Sequence, residues 1–307
     1  MKPETQYDLL VAGEINPDLI LSGNVKPEFG QVEKLVDSAA LTIGSSSAIF
    51  ACGAARLGLK VAFVGICGDD VFGRFMLAEM SKRGVDVSHV IIRADGQTGL
   101  SVILNQQSDR AILTHSGLIA ELQASDVADS LLAQARHLHV ASYFLQTKLQ
   151  PDLPALFKRA HTLGLSTSLD TNYDPSEKWT GFDELLAVTN VFLPNEAEAK
   201  SLTGAENVEE AATRIGSKLE ALAIKLGKDG ALGMSKGQRV QVKSIPVNVV
   251  DTVGAGDSFD AGFIYGYLNG WELEKSLRLA CVCGALSTQQ AGGTNGQPTL
   301  EEALKYL

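Results

Sequence analysis

What the chain has little of narrows its function first. It is short of positive charge: 26 Lys and Arg stand against 36 Asp and Glu, a formal net charge of −10. General binding to nucleic acid or to an anionic membrane is therefore not expected, although one local anion-binding turn is compatible with an acidic chain. Cysteine is scarce, with Cys52, Cys67, Cys281 and Cys283 the four among 307 residues. All lie in apolar runs and none forms a C-x-x-C pair, which predicts reduced, buried thiols. Residues 1–7 lack a signal-peptide pattern, and no apolar run reaches membrane-spanning length, so a cytoplasmic location is the expectation. The phosphate-binding pattern G-x-x-x-x-G-K-[ST] is missing. So is G-x-G-x-x-G: Gly13-Glu14-Ile15 follows the first apolar run, which argues against a dinucleotide-binding dehydrogenase. No repeat, low-complexity tract or linker breaks the chain.

What is present is an alternation of strand-like and helix-like runs from residue 61 to residue 290. It predicts an α/β protein with a mostly parallel sheet and helices on both faces. The most informative stretch is 251–263, Asp-Thr-Val-Gly-Ala-Gly-Asp-Ser-Phe-Asp-Ala-Gly-Phe. It follows a β-like run at 247–250 and opens a helix-like run at 259–268, so it reads as strand, glycine turn and helix N-terminus. The first N–H groups of a helix lack intrahelical partners and carry partial positive charge. Gly254, Ala255 and Gly256 would let a phosphate approach that backbone closely. Asp257 is either a helix cap or the group that takes a proton from an attacking hydroxyl during phosphoryl transfer.

Residues 251–264 resemble the C-terminal signature of the ribokinase-like (PfkB) sugar kinase family. The resemblance implies a ribokinase-like three-layer α/β/α domain spanning residues 1–307, with a small β-sheet lid built from segments near 15–43 and 97–115. It gives Asp257 the role of catalytic base and Gly254, Ala255 and Gly256 that of the anion hole. Short strand-like runs at 19–21, 33–36, 39–43, 99–105 and 110–114 would supply the lid.

The first strand, near 8–13, ends at Gly13-Glu14-Ile15-Asn16-Pro17-Asp18. Asn16 and Asp18 resemble the family's substrate-hydroxyl ligands, although Asn, Pro and Asp also form turns. Gly44-Ser45-Ser46-Ser47-Ala48-Ile49 opens a helix where the family carries a Gly-Gly pair and an Asn. Gly44 is kept, Ser45 replaces the second Gly, and Ile49 stands in place of the Asn, so the usual sugar contact is lost. The serines read either as a helix cap or as replacement hydroxyl contacts. A helix is expected at 125–135 and a strand at 137–142, after which Tyr143 would line the pocket. His137 and His139 alternate on that strand with no metal-ligand spacing around them.

Asp170 and Asn172 match the family's D-x-N-x-R, but Asp174 replaces the Arg. That leans away from a sugar phosphate or sugar acid. Asn195 and Glu198 match N-x-x-E, which organises Mg²⁺ through water; the same spacing also makes a helix capping box. After a strand at 223–226, the turn containing Gly227 and Gly230 would lie against the nucleotide, with Lys225 or Lys228 near its phosphates, and Thr252 belongs to the same nucleotide wall. The backbone near Asp251 and Val253 is implied as a site for a monovalent cation such as K⁺. The expected function is an ATP- and Mg²⁺-dependent kinase acting on a hydroxyl of a small sugar, with a homodimer through the lid implied by the family. A nucleoside kinase, for which an apolar base pocket is expected beside Asn16 and Asp18, and a non-catalytic sugar- or nucleotide-binding protein are the alternatives.

Overall fold

The computed structural model describes residues 5–106, 109–174 and 176–307. A nine-stranded sheet runs through it. From one edge its strands are Gln238–Val242, Ala231–Ser235, Ala221–Lys225, Val191–Phe192, Ser166–Leu169, His137–Val140, Leu9–Ala12, Val61–Val64 and Val85–Asp86. Pairing is parallel except for the two antiparallel pairings at the Gln238–Val242 edge.

The central strands are apolar on both faces because both are covered. In the first strand Leu9 and Val11 join one core, with Phe50, Phe63 and Phe263. Leu10 and Ala12 turn the other way, into a core with Leu138, Phe157 and Phe192. Successive strand side chains point to opposite faces, so one short run serves both layers. On the first face lie the helices Ser46–Arg56, Ala255–Leu268 and Leu273–Ser287. The last two approach closely: a Cβ at Gly262 would come within 2.9 Å of the Ala280 backbone. The second face is covered by helices that include Leu153–Thr162, Glu196–Thr203 and Val208–Gly216.

A separate four-stranded sheet has the order Ser38–Ile43, Pro17–Ser22, Leu100–Gln106, Asp109–His115. Its middle pair is parallel and its outer pairs are antiparallel. One face, with Asp18, Ser101, Ile103, Ile112 and Thr114, lines a cavity above the main sheet. The register aligns Leu41, Leu19, Val102 and Leu113 across all four strands on the opposite face.

Several local expectations change. Residues 247–250 form no strand; beyond Gln238–Val242 the chain is an extended loop. Its apolar character has another use, since Val247 and Val249 line a second cavity. Residues 33–36 are loop as well, with Leu35 85% exposed. The helix expected at 125–135 is reduced to a 3₁₀ turn, Ala124–Asp126, and one short turn, Asp129–Leu132, because the backbone is extended at Val127 and Ala128. The four cysteines are buried free thiols.

Candidate active site

The strand ends and the glycine turn converge on a cavity of ≈ 560 Å³ between the main sheet and the small sheet. Asp257 sits in its wall, 8% exposed, in the first turn of the helix Ala255–Leu268. Gly254 caps that helix in the left-handed conformation (φ 72°) and offers no side-chain cap bond. A side chain could not replace it: a Cβ would meet the Gly293 backbone at 2.7 Å and Ile49 at 2.9 Å. The helix N-terminus therefore faces the cavity uncapped by any side chain, as an anion site requires. Burial first, then the charge of Asp170, pushes the Asp257 carboxyl up to about 8, with Lys225 opposing.

Most residues singled out in the sequence meet here. Asn16, Asp18, Ser45, Asp170, Asn172, Asn195, Glu198, Lys225, Gly227, Thr252, Val253, Gly254, Gly256 and Asp257 line the cavity. Gly44 backs it, since a Cβ there would strike Asp18 Oδ1 at 2.2 Å. Ala255 and Gly230 instead line the second cavity, of ≈ 590 Å³, together with Lys228, Ile245, Pro246, Val247, Phe259 and Ala285. The two cavities share Lys225, Gly227, Thr252 and Gly256.

One expectation is corrected. Tyr143 is not in the cavity wall; its ring packs against Phe144 and Phe182, and its neighbours Ser142 and Leu145 line the cavity instead. The 3₁₀ turn Tyr143–Leu145, entered through a left-handed Ser142, rotates Tyr143 away. Asp174 lies outside the cavity wall. It is buried and accepts from the amides of Ser176, Lys178 and Trp179 and from the Ser176 hydroxyl, organising its own turn. Asp251 is likewise outside the wall: Oδ1 accepts from the Val253 amide and Oδ2 from the Gly292 amide, tying the glycine turn to the 292–296 loop.

The serines serve as a helix cap and as donors to a buried carboxylate. Ser45 caps the helix by accepting from the Ala48 amide, and Asn172 Nδ2 donates to Ser46 Oγ at 2.6 Å. Ser45 and Ser47 donate to Glu14, at 3.0 and 2.6 Å, and Ser142 adds a third hydroxyl at 2.9 Å. Glu14, 2% exposed, is the main residue that motif reading missed. Its signal was spacing: 14, 16 and 18 alternate at a strand end, so all three side chains address the same cavity. Ile49 fills the missing Asn's place by packing on Gly254 and Gly293.

The site is rich in carboxylates. Asp18 is pushed up to about 7, mainly by burial, against the opposing charge of Arg110. Glu198 is also raised to about 7, by burial and then by Asp170. Its carboxylate accepts from the Asn195 amide and side chain, and Asn195 Oδ1 accepts from the Glu198 amide, so the pair forms a capping box that also faces the cavity. A capped, buried carboxylate beside Asp170 and Asp257 is a donor set suited to a hydrated hard cation.

Beneath this cluster a polar row runs along one face of the sheet. Tyr267 donates to Glu220. His137 Nδ1 bonds to Ser166 Oγ, His137 Nε2 to Ser168 Oγ and His139 Nδ1 to the same Ser168 Oγ, each at 2.7 Å, with the donor in each pair set by the imidazole tautomer. His139 Nε2 is buried without a partner among the described residues. Burial drives both imidazole pKa values down, that of His139 to about 3, so both rings are neutral.

A three-layer α/β fold with a sheet lid, an uncapped helix N-terminus and a buried carboxyl beside it defines a class of phosphoryl-transfer proteins. The pfkB family carbohydrate kinase model matches residues 8–300. An uncharacterized sugar kinase of Archaeoglobus fulgidus is 34% identical, over 80% of this chain and 98% of its own length. The 2-dehydro-3-deoxygluconokinase of Bacillus subtilis is 31% identical, over 91% of this chain and 90% of its own. Arabidopsis thaliana ribokinase, solved with ribose and ATP, has the same fold, with a TM-score of 0.84, 24% identity and 98% of each chain covered. The chain belongs to the pfkB family of carbohydrate kinases.

Proposed function

We propose that this chain is an ATP-dependent sugar kinase that transfers the γ-phosphoryl group to a hydroxyl of a small sugar. The observation that carries the reading is the position of Asp257, at an uncapped helix N-terminus where a hydroxyl-binding cavity meets an apolar one. Asp257 accepts the hydroxyl proton as the oxygen bonds to the γ-phosphorus. The bond from that phosphorus to the β–γ bridging oxygen breaks, and its electrons leave with ADP. The Gly254–Gly256 turn donates to the transferring group. Asn16, Asp18, Gly44, Ser45, Asp170 and Asn172 hold and orient the sugar. The second cavity takes the nucleotide base, against Gly227, Gly230 and Thr252. Asn195 and Glu198 would hold Mg²⁺ through its waters, where it supplies charge neutralisation for the ATP phosphates. Asp251 and the Val253 backbone are the proposed monovalent-cation site, and activity in K⁺ against a potassium-free buffer tests it. Segments 15–43 and 97–115 cover the sugar and keep water from the phosphoryl group.

A nucleoside acceptor is the second reading. Ile103, Ile112, Ile119 and Leu145 line the cavity that holds Asn16 and Asp18, an apolar surface that suits a base. ADP release with Mg-ATP across pentoses, hexoses, keto-deoxy sugar acids, sugar phosphates and nucleosides, with Asp257→Asn in parallel, decides between the two. Binding by calorimetry with no ADP release for any hydroxyl would instead mark a non-catalytic binding protein.

We further infer a homodimer through the lid. The row Leu41, Leu19, Val102 and Leu113 lies on the lid's outer face, where Leu41 and Leu113 are 37% and 61% exposed. Four aligned apolar side chains on an exposed sheet suit a second copy of the same sheet.

A further inference from the structure

Among the described residues, the wall between the two cavities contains one buried cation. Lys225 ends the strand Ala221–Lys225, and its side chain is 12% exposed. Its Nζ lies 2.9 Å from Asp170 Oδ2 and 3.2 and 3.0 Å from the two oxygens of Asp260. Asp260 stands one helical turn beyond Asp257, so both carboxyls leave the helix on the same side. A Cβ on Gly256 would be 3.6 Å from Nζ, which sets the ammonium directly beside the glycine turn. An ammonium has three donors. One serves Asp170 and one is shared across the Asp260 carboxyl, which leaves one. As a purely structural device the triad is a poor choice, because apolar residues of similar volume stabilise an interior as well or better.

We propose that Lys225 is a catalytic residue of the transfer step: held by Asp170 and Asp260, it donates its remaining N–H to the transferring phosphoryl group at the Gly254–Gly256 turn and offsets the carboxylates around Asp257. This rests on the kinase reading and names a new contact within it. The charge on the phosphoryl oxygens is met from two sides, by the helix N–H groups and by Lys225. Asp170 and Asp260 position the ammonium and do not themselves meet the phosphoryl group. Around Asp257 the acidic groups are Asp170, Glu14, Asp260 and Glu198, with burial pushing the Asp260 carboxyl well above the usual carboxylate range, Lys225 as the cation and Ser46 as a hydrogen-bond donor. Burial opposes a charged Lys225, but Asp170, Asp260 and Glu198 outweigh it and keep the ammonium protonated.

The test compares pH–rate profiles of wild type, Lys225→Met and Asp170→Asn on the best acceptor found in the panel. Lys225→Met is expected to lower kcat about 10²–10³-fold, the usual loss when one donor to the developing charge is removed. It is also expected to move the acid limb of kcat/KM to higher pH, because Asp257 loses its compensating cation. Asp170→Asn should move that limb to lower pH. General structural damage does not shift the limb in opposite directions. If Lys225→Met fails to fold, Lys225→Gln removes the charge and keeps donors in place. A folded Lys225 variant with kcat within threefold of wild type, or an acid limb that stays put, overturns the proposal alone, provided Asp257→Asn abolishes turnover. Absence of ADP release by the wild type, or its persistence in Asp257→Asn, overturns the underlying kinase reading and the proposal with it.

Discussion

The two cavities that meet at Lys225 have nearly the same volume, ≈ 560 and ≈ 590 Å³, yet their walls differ sharply. The first presents Glu14, Asn16, Asp18, Asp170, Asn172 and Asp257. The second presents Ile245, Pro246, Val247, Val249, Phe259 and Ala285. In the second, Thr288 spends its hydroxyl proton on the Ala285 carbonyl, so even that polar side chain has its donor occupied. One cavity can recognise its guest by directed hydrogen bonds, which reject an analogue that leaves them unmade. The other sets a few polar groups, Lys225, Lys228, Ser244 and Thr252, against a larger apolar area, which discriminates more weakly. On the proposed reading, the acceptor side would be strict and the donor side permissive.

The largest expected effect comes from the polar side. Asp257→Asn should lower turnover by about 10²–10⁴-fold while ATP binding, followed by calorimetry, stays within a few-fold. Equal loss of ATP affinity would break the division between the cavities. The same variant carries a stability signature. The Asp257 pKa rises on folding from 3.8 to about 8, so its contribution to stability is complete below 3.8 and is lost as pH rises through about 8. Asp257→Asn should therefore melt above wild type at pH 8–9, with the gap closing towards pH 4. In turnover the sign is reversed: kcat/KM should climb as pH rises towards 8, because only the ionised carboxylate accepts a proton.

Glu14→Ala is next. It strands the hydroxyl donors of Ser47 and Ser142 in the interior, while Ser45 keeps its bond to the backbone carbonyl at position 14, and each unpaired buried group costs about 1–3 kcal/mol. KM for the acceptor should rise and Tm should fall, with KM for ATP unmoved. Ala285→Leu sharpens the comparison from the other side. It fills apolar space, so KM for ATP should rise about tenfold, equivalent to about 1.4 kcal/mol, with no change for the acceptor. The smallest effect on catalysis is expected from Leu19→Asp on the outer face of the lid. Sedimentation should show a dimer lost, while kcat per chain changes less than the other variants change it.

How much of this was legible in the sequence varies with the kind of signal. The motif residues were found because their chemistry is local: Gly254 must be glycine, Asp257 must follow it, and the Asn195–Glu198 spacing survives as both a cap and a cavity wall. The sheet alternation was legible because buried parallel strands are short apolar runs. Residues 247–250 misled for the same reason, since an apolar run that lines a cavity looks like one that enters a sheet. Tyr143 misled because a single left-handed residue, Ser142, turned the chain after the strand. Glu14 lay between recognised positions, and its importance rests on serines at 45, 47 and 142 that only the fold brings to it. Lys225 appeared as a lysine at a strand end, and nothing local announced Asp260 as its partner.

The connectivity of the small sheet also bears on how the chain assembles. Its inner strands, Pro17–Ser22 and Leu100–Gln106, pair in parallel, and between them in sequence lie the helices Ser46–Arg56 and Val71–Lys82 and the strand Val61–Val64. Parallel pairing across so long a segment closes a large loop and becomes favourable only after the intervening part has become compact. The lid should thus be the last part to acquire its hydrogen bonds during folding and among the first to exchange them with solvent. Opening the cleft to admit a sugar would then follow a motion the chain already makes late in folding, run in reverse.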